Sequence, residues 1–163
     1  MFWKAFLVLG LSASTASAQQ ALSKDEIGKI KQEVTAVVHR YYQLFTERNM
    51  KALPQEIFHL PFVLLAPEGA QVELTAEAMT TRNEGNLKRL LESGWDRSEF
   101  PSPQVCVLNS GAAIASGKFF RYKKDGSVLS ENAVTYILGK TDKGWRIVTF
   151  GGHGLERIVP CKD

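Results

Sequence analysis

The sequence has 163 residues, 44% of them hydrophobic and 23% charged, with a formal net charge of +3. That length suits one domain. So small a charge excess, with no like-charged block longer than the one in RYKKDG, excludes a surface built to hold nucleic acid or an anionic membrane.

The chain opens with MFWKAFLVLGLSASTASAQQ, in which Lys4 precedes an apolar run from Ala5 to Leu11 and small residues lead to Ala16-Ser17-Ala18. This is the layout of a cleavable secretory signal, cut after Ala18. The run is too short to span a bilayer, which takes about 20 residues. The expectation is a signal over 1–18, a single domain over 19–163 and a periplasmic or secreted mature protein. Removal of Lys4 lowers the net charge from +3 to +2.

Ser23 with Glu26 three residues later predicts a capping box at the start of a long helix. Ile27, Ile30, Val34, Val37, Tyr41 and Leu44 form its apolar stripe, and the helix should end near Asn49. MKALPQEIF reads as a short second helix interrupted at Pro54. Residues 62–65 then read as a strand, Pro67-Glu68-Gly69 as a turn and residues 71–74 as the hairpin partner. Pro61 holds Leu60 extended and favours an edge strand here. Thr75 caps a third helix over about 76–93, with Leu87, Leu90 and Leu91 on its apolar side and Gly94 at its C-terminal end.

Four strands follow as an antiparallel meander: QVCVLN, AAIASGKFFRYKK, VLSENAVTYILGK and WRIVTFGG. Their turns fall at Asp125-Gly126 and near Asp142-Lys143-Gly144, with no helix between them. The fold class is α+β, with three helices on one face of a curved, mainly antiparallel sheet of about six strands. Cys106 and Cys161 are an even pair in an exported chain, which predicts a disulfide tying the tail to a central strand. Two unpaired thiols are the alternative. Two cysteines and three scattered histidines match no metal-ligand spacing, and no cofactor is expected.

The first helix TAVVHRYYQLF, the hairpin FHLPFVLLAPEG and the final TYILGKTDKGWRIV together resemble the nuclear transport factor 2-like superfamily. Within it the closest likeness is to the SnoaL-like and ketosteroid isomerase-like branch. The resemblance covers nearly all of residues 23–152 and implies a cone, open at one end and lined by apolar side chains. It is specific for fold and poor for function, because this fold hosts isomerases, dehydratases, hydrolases and non-catalytic modules.

Ketosteroid isomerases use a tyrosine of the first helix, a protonated acid and an aspartate base. Arg40-Tyr41 matches the tyrosine's place. The base should stand just before the hairpin proline, where this chain has Ala66. The second acid should lie on the strand over 128–139, which offers only Glu131 beside Asn132. The donor is kept and the base is not, so isomerisation of that type is not expected. His59 has two readings. It is an acid or base in the cone with Glu56 as its orienting partner, or it is a structural histidine bonded to backbone beside Pro61. His153 follows Gly151-Gly152 and either lines the cone mouth or sits in a glycine-flanked loop; His39 lies off the apolar stripe and faces water. Trp95 reads as a lid or core plug. Arg121 and Tyr136 stand on strands whose inward face the sequence leaves open. An inward Arg121 would favour a carboxylate ligand; an outward one would be a surface charge.

The cavity candidates are therefore Tyr41, His59, Phe62, Trp95, Arg121, Tyr136 and His153. The expected function is binding of a small, largely apolar molecule, or scaffolding, without catalysis. The alternative is a lyase or isomerase using Tyr41 and His59. The expected partner is a second copy of the chain, joined through the sheet, with no nucleic acid and no membrane after signal cleavage.

Overall fold

The computed structural model describes residues 21–161. The expected signal over 1–18 lies outside the described residues.

The first helix, α1 (Lys24–Thr46), begins at the expected capping box: Glu26 N–H donates to Ser23 Oγ at 3.3 Å, and Ser23 N–H donates to the Glu26 carboxylate at 2.8 Å. It ends before Asn49 because Glu47 caps it and Arg48 turns left-handed at φ 59°. It buries Ile30, Val34, Val38, Tyr42, Leu44 and Phe45. Ile30, Val34 and Leu44 belong to the expected stripe, while Val37 and Tyr41 of that stripe are half-buried beside the buried Val38 and Tyr42. The sheet curves round the helix and covers a wider arc than one stripe, so both tyrosines face protein.

Two short turns follow, Met50–Ala52 and Leu53–Ile57. Pro54 does not interrupt them. It stands in the first turn of the second, where a missing N–H costs nothing. The helix α2 (Ala76–Glu92) has Thr75 as its N-cap, accepting from Ala78 N–H at 3.1 Å, and Gly94 at φ 82° just past its end. It buries Met79, Asn83 and Leu90, and leaves Leu91 exposed.

Seven strands make one open mixed sheet: β1 (Phe58–Ala66), β2 (Gly69–Glu73), β3 (Trp95–Glu99), β4 (Gln104–Asn109), β5 (Ala112–Lys123), β6 (Val128–Thr141) and β7 (Gly144–His153). The order is β2-β1-β7-β6-β5-β3, with β4 also paired to β5. Among the described residues only β1 and β7 pair in parallel. The meander is as read from the sequence. Two expectations change. The strand expected over 62–65 starts earlier, at Phe58, and is not an edge: β1 pairs with β2 on one side and β7 on the other. The β1–β7 register shifts between Phe58 and Val63, the segment that contains Pro61. This irregularity accommodates a residue without an N–H inside a paired strand. The strand β3, Trp-Asp-Arg-Ser-Glu, was not anticipated, because so short and polar a run carries no alternating apolar signal.

The helices pack on the concave face of the sheet. Alternation along β6 turns Val134, Tyr136 and Leu138 inward, and Thr135 and Ile137 outward. Cys106 of β4 and Cys161 of the tail form a disulfide with their Cα atoms 5.2 Å apart. The strand it holds is peripheral and not central, since β4 pairs with β5 alone. The tail is further fixed by Val159 N–H donating to Ser116 Oγ at 3.0 Å. Among the described residues no helix is long and apolar enough to cross a membrane, and no cluster of side chains has the makings of a metal site.

Candidate functional site

The open end of the cone holds a cavity of about 540 Å³. Its walls come from α1 (Tyr41, Tyr42, Phe45), the end of β1 (Leu64 to Ala66), α2, and the inward faces of β5, β6 and β7. The apolar share follows from the curvature: a bent sheet turns alternate residues such as Phe119, Tyr136 and Phe150 toward one point. Tyr41 sits edge-on to Phe45, Phe58 and Tyr136, with ring centroids 5.2 to 5.9 Å away. Tyr42 stacks on Phe100 at 5.6 Å.

The phenols have partners and shifted acidity. The Tyr42 and Tyr136 hydroxyls share a hydrogen bond of 2.8 Å. Burial pushes the Tyr41 hydroxyl up to about 12, against an opposing pull from the guanidinium groups of Arg121 and Arg82. Burial likewise raises Tyr42 and Tyr136 well above the ordinary phenol value. All three are therefore hydrogen-bond donors at neutral pH and none is a base.

Of the residues singled out from the sequence, Tyr41, Arg121, Tyr136 and His153 border this cavity. Phe62 lies behind the wall, fully buried, with its ring against Phe58 at 4.7 Å and Phe150 at 5.4 Å. Trp95 opens β3 as a buried core residue, its indole N–H donating to Ser98 Oγ at 2.8 Å. His59 stands at the other end of β1 from Leu64, roughly 16 Å of strand away. It is exposed, in a shallow depression beside Asp142, Lys143 and Arg146. Its ring makes no hydrogen bond among the described residues, so the expected bond to backbone near Pro61 is not formed. Glu56, the expected partner, is held by Arg40 Nε at 3.0 Å. His39 is exposed as expected, with Nε2 donating to the Phe100 carbonyl at 3.0 Å.

His153 is at the rim, but alternation from Phe150 turns its ring to the outer face, where Thr135 and Ser116 lie. The carbonyl of Gly154, 2.9 Å from Nδ1, can only accept, so Nδ1 carries the proton. Nε2 then accepts from the Thr135 hydroxyl at 2.8 Å, Thr135 from Ser116 at 2.8 Å, and Ser116 from Val159 N–H. Both ring nitrogens are occupied. The position of the isomerase base, Ala66, does face the cavity. Glu131 does not: it is on the outer face, paired with Lys118 at 2.8 Å, and Asn132 takes the inward place.

Several wall residues escaped the sequence reading. Arg82, Asn86 and Arg89 recur at helical spacing on α2 and give the cavity a polar side. That spacing was the available signal, and it reads equally well as a solvated face. Arg82 is tied to Glu73 at 3.5 Å. Among the described residues no acidic one lines the cavity.

A helix-covered, bent sheet with a cavity open at one end defines the cone class of α+β domains. Residues 32–154 match the family described as NTF2-like protein (DUF6841), and the chain belongs to that family. No curated protein sequence matches it significantly. Among solved structures it is similar to an NTF2-like protein with a cystatin-like fold from Novosphingobium aromaticivorans. The two are 18% identical with a TM-score of 0.65, over 82% of this chain and 87% of that one. A nuclear transport factor 2 (NTF2-like) superfamily protein from Salmonella enterica serovar Typhimurium is 20% identical with a TM-score of 0.57, over 78% and 92%. A protein from Catenulispora acidiphila, solved in complex with S-DNPA, is 16% identical with a TM-score of 0.60, over 77% and 94%. At these identities the likeness is one of fold.

Proposed function

We propose that the chain is an exported binding domain that holds a small, largely apolar molecule in its cone and performs no chemistry on it. The observation that carries the reading is a cavity of about 540 Å³ whose wall, among the described residues, contains neither a carboxylate nor an imidazole free to take a proton. Proton transfer needs a base within hydrogen-bond reach of the reacting atom. The lining tyrosines are held protonated and His153 is bonded at both nitrogens. A lyase or isomerase using Tyr41 with His59 has less support, because the two stand on different cavities. A concave site with an apolar wall and a few polar groups is what small-molecule sites have in common.

Titration with the neutral apolar dye Nile red tests the reading. The wild type should bind with a blue-shifted emission. Ala66→Trp, which fills the cavity from the end of β1, should abolish binding with the melting curve kept. His59→Gln should bind as the wild type does. Binding that survives in Ala66→Trp would place the dye elsewhere and remove the support for a cavity ligand. N-terminal sequencing of protein from its native host tests export: the mature chain should begin at Gln19, and an intact Met1 in the cytosolic fraction would refute it.

A further inference from the structure

Arg121 carries a charge of the cavity wall that the fold itself does not neutralise among the described residues. It lies on the inward face of β5 and is half-buried in the cavity wall. Its guanidinium carbon sits 5.3 Å from the centroid of the Phe119 ring, on the same face of the same strand. Among the described residues it has no ion pair. The field of its charge reaches all three buried phenols. The other arginines of the wall differ. Arg82 is neutralised by Glu73, and Arg89 is exposed on α2. A guanidinium drawn out of bulk water is expected to find an anion, and among the described residues it finds none.

The surroundings of Arg121 are those of a receptor. Its neighbour across the β5–β3 ladder is Ser98, whose Oγ already accepts from the Trp95 indole, so the serine proton is free to donate. Asn132, opposite Phe119 across the β5–β6 ladder, gives one amide proton to Ser130 and keeps another. Phe119 lies under the guanidinium and restricts its orientation. Donors from three adjacent strands thus meet at one end of a cavity that also has an aromatic and aliphatic wall and, on α2, the polar side made by Arg82, Asn86 and Arg89, with no acidic side chain lining it among the described residues.

We propose that the cone takes an amphipathic monocarboxylic acid, its apolar body against Tyr41, Leu64 and Phe150 and its carboxylate on Arg121, with Ser98 and Asn132 as flanking donors. This rests on the cavity reading above and names the ligand class for it. A planar carboxylate matches the fork of a single guanidinium. A phosphate dianion would need a second free cation at depth, and the one nearest in kind, Arg82, is committed to Glu73.

The test is calorimetric titration of the full mature protein with decanoate, decanol and decyl phosphate. Decanoate should bind at least about tenfold more tightly than decanol, the factor expected of a charge-assisted contact in a partly dry site. Arg121→Gln should remove that preference while decanol affinity stays, and Arg121→Lys should retain part of it. Thermal melts of both variants matching the wild type establish that the fold is intact. Equal binding of decanoate and decanol would overturn the carboxylate site and leave the cavity reading standing. Binding of neither would overturn both. Tighter binding of decyl phosphate than of decanoate, or a preference that survives Arg121→Gln, would also overturn the assignment.

Discussion

The hydroxyls of Tyr42 on α1 and Tyr136 on β6 lie 2.8 Å apart and join the helix to the middle of the sheet through one buried hydrogen bond. They are 94 residues apart in sequence, and both rings are buried. Removing one hydroxyl strands the other without a partner. Tyr42→Phe should therefore cost about 1–3 kcal/mol in urea denaturation, the penalty of an orphaned buried donor. Tyr42→Phe with Tyr136→Phe should cost less than the two single changes added together, because both polar groups then leave. Strict additivity in that cycle would mean that the bond does not form in solution.

The same burial sets a pH dependence. Tyr41 ionises near pH 10 in an unfolded chain and at about 12 in the folded one. Between those values unfolding releases a proton, so alkali drives it. The contribution of Tyr41 is complete below pH 10 and falls as pH rises through about 12, by roughly 3 kcal/mol in all. Tyr42 and Tyr136 shift in the same direction and add to the trend. Denaturation midpoints should be level with respect to these groups up to about pH 9. They should then fall steeply above pH 10. In Tyr41→Phe the fall should be shallower. An equal slope in that variant would show that Tyr41 is not buried as described.

The fold was legible where local chemistry repeats the tertiary answer. The Ser23–Glu26 box, the Thr75 cap, the glycine turns and the meander strands each carry their own signal, and tertiary packing did not override them. The site was less so, for geometric reasons. Strand alternation shows that Arg121 and Phe119 share a face, yet only the position of α1 decides that this face is the inner one. The stripe on α1 pointed to Tyr41 and left Tyr42 aside, because one stripe assumes a flat partner and this sheet wraps. His59 drew notice as a histidine in an apolar run, but the sequence alone could not show which end of β1 meets the cavity. Arg82, Asn86 and Arg89 look from the sequence like any solvated face of a helix.

The disulfide gives a prediction with a separate readout. Cys106 and Cys161 close 55 residues of chain. The chain-entropy account gives about 4 kcal/mol of stability lost on reduction, less any strain released. Thiol titration of denatured, unreduced protein should find no free thiol, and two after reduction. Cys161→Ser should reproduce the loss and free the tail from β4, while binding in the cavity persists, since neither cysteine lines it. Two titratable thiols in the unreduced protein from its native host would contradict the bond.

Assembly follows from the face of the sheet that the helices leave uncovered. On the outer side Ile137 of β6 stands between Ile114 of β5 and Thr149 of β7, and it is 39% exposed. The tail is fixed on the same face at Ser116 and Cys106. Two isoleucines side by side at the centre of a sheet, with polar residues such as Lys118 and Glu131 toward one end, are the kind of surface that two copies bury against each other. We propose a homodimer through this face. Sedimentation equilibrium at tens of micromolar should give twice the mass of the mature chain. Ile137→Glu should give a single-chain mass, because two carboxylates would meet across a two-fold axis. Its cavity binding should persist, as Ile137 points away from the cone. A wild-type protein that sediments as one chain throughout that range would remove the proposal, and an Ile137→Glu variant that still sediments as a dimer would move the interface elsewhere.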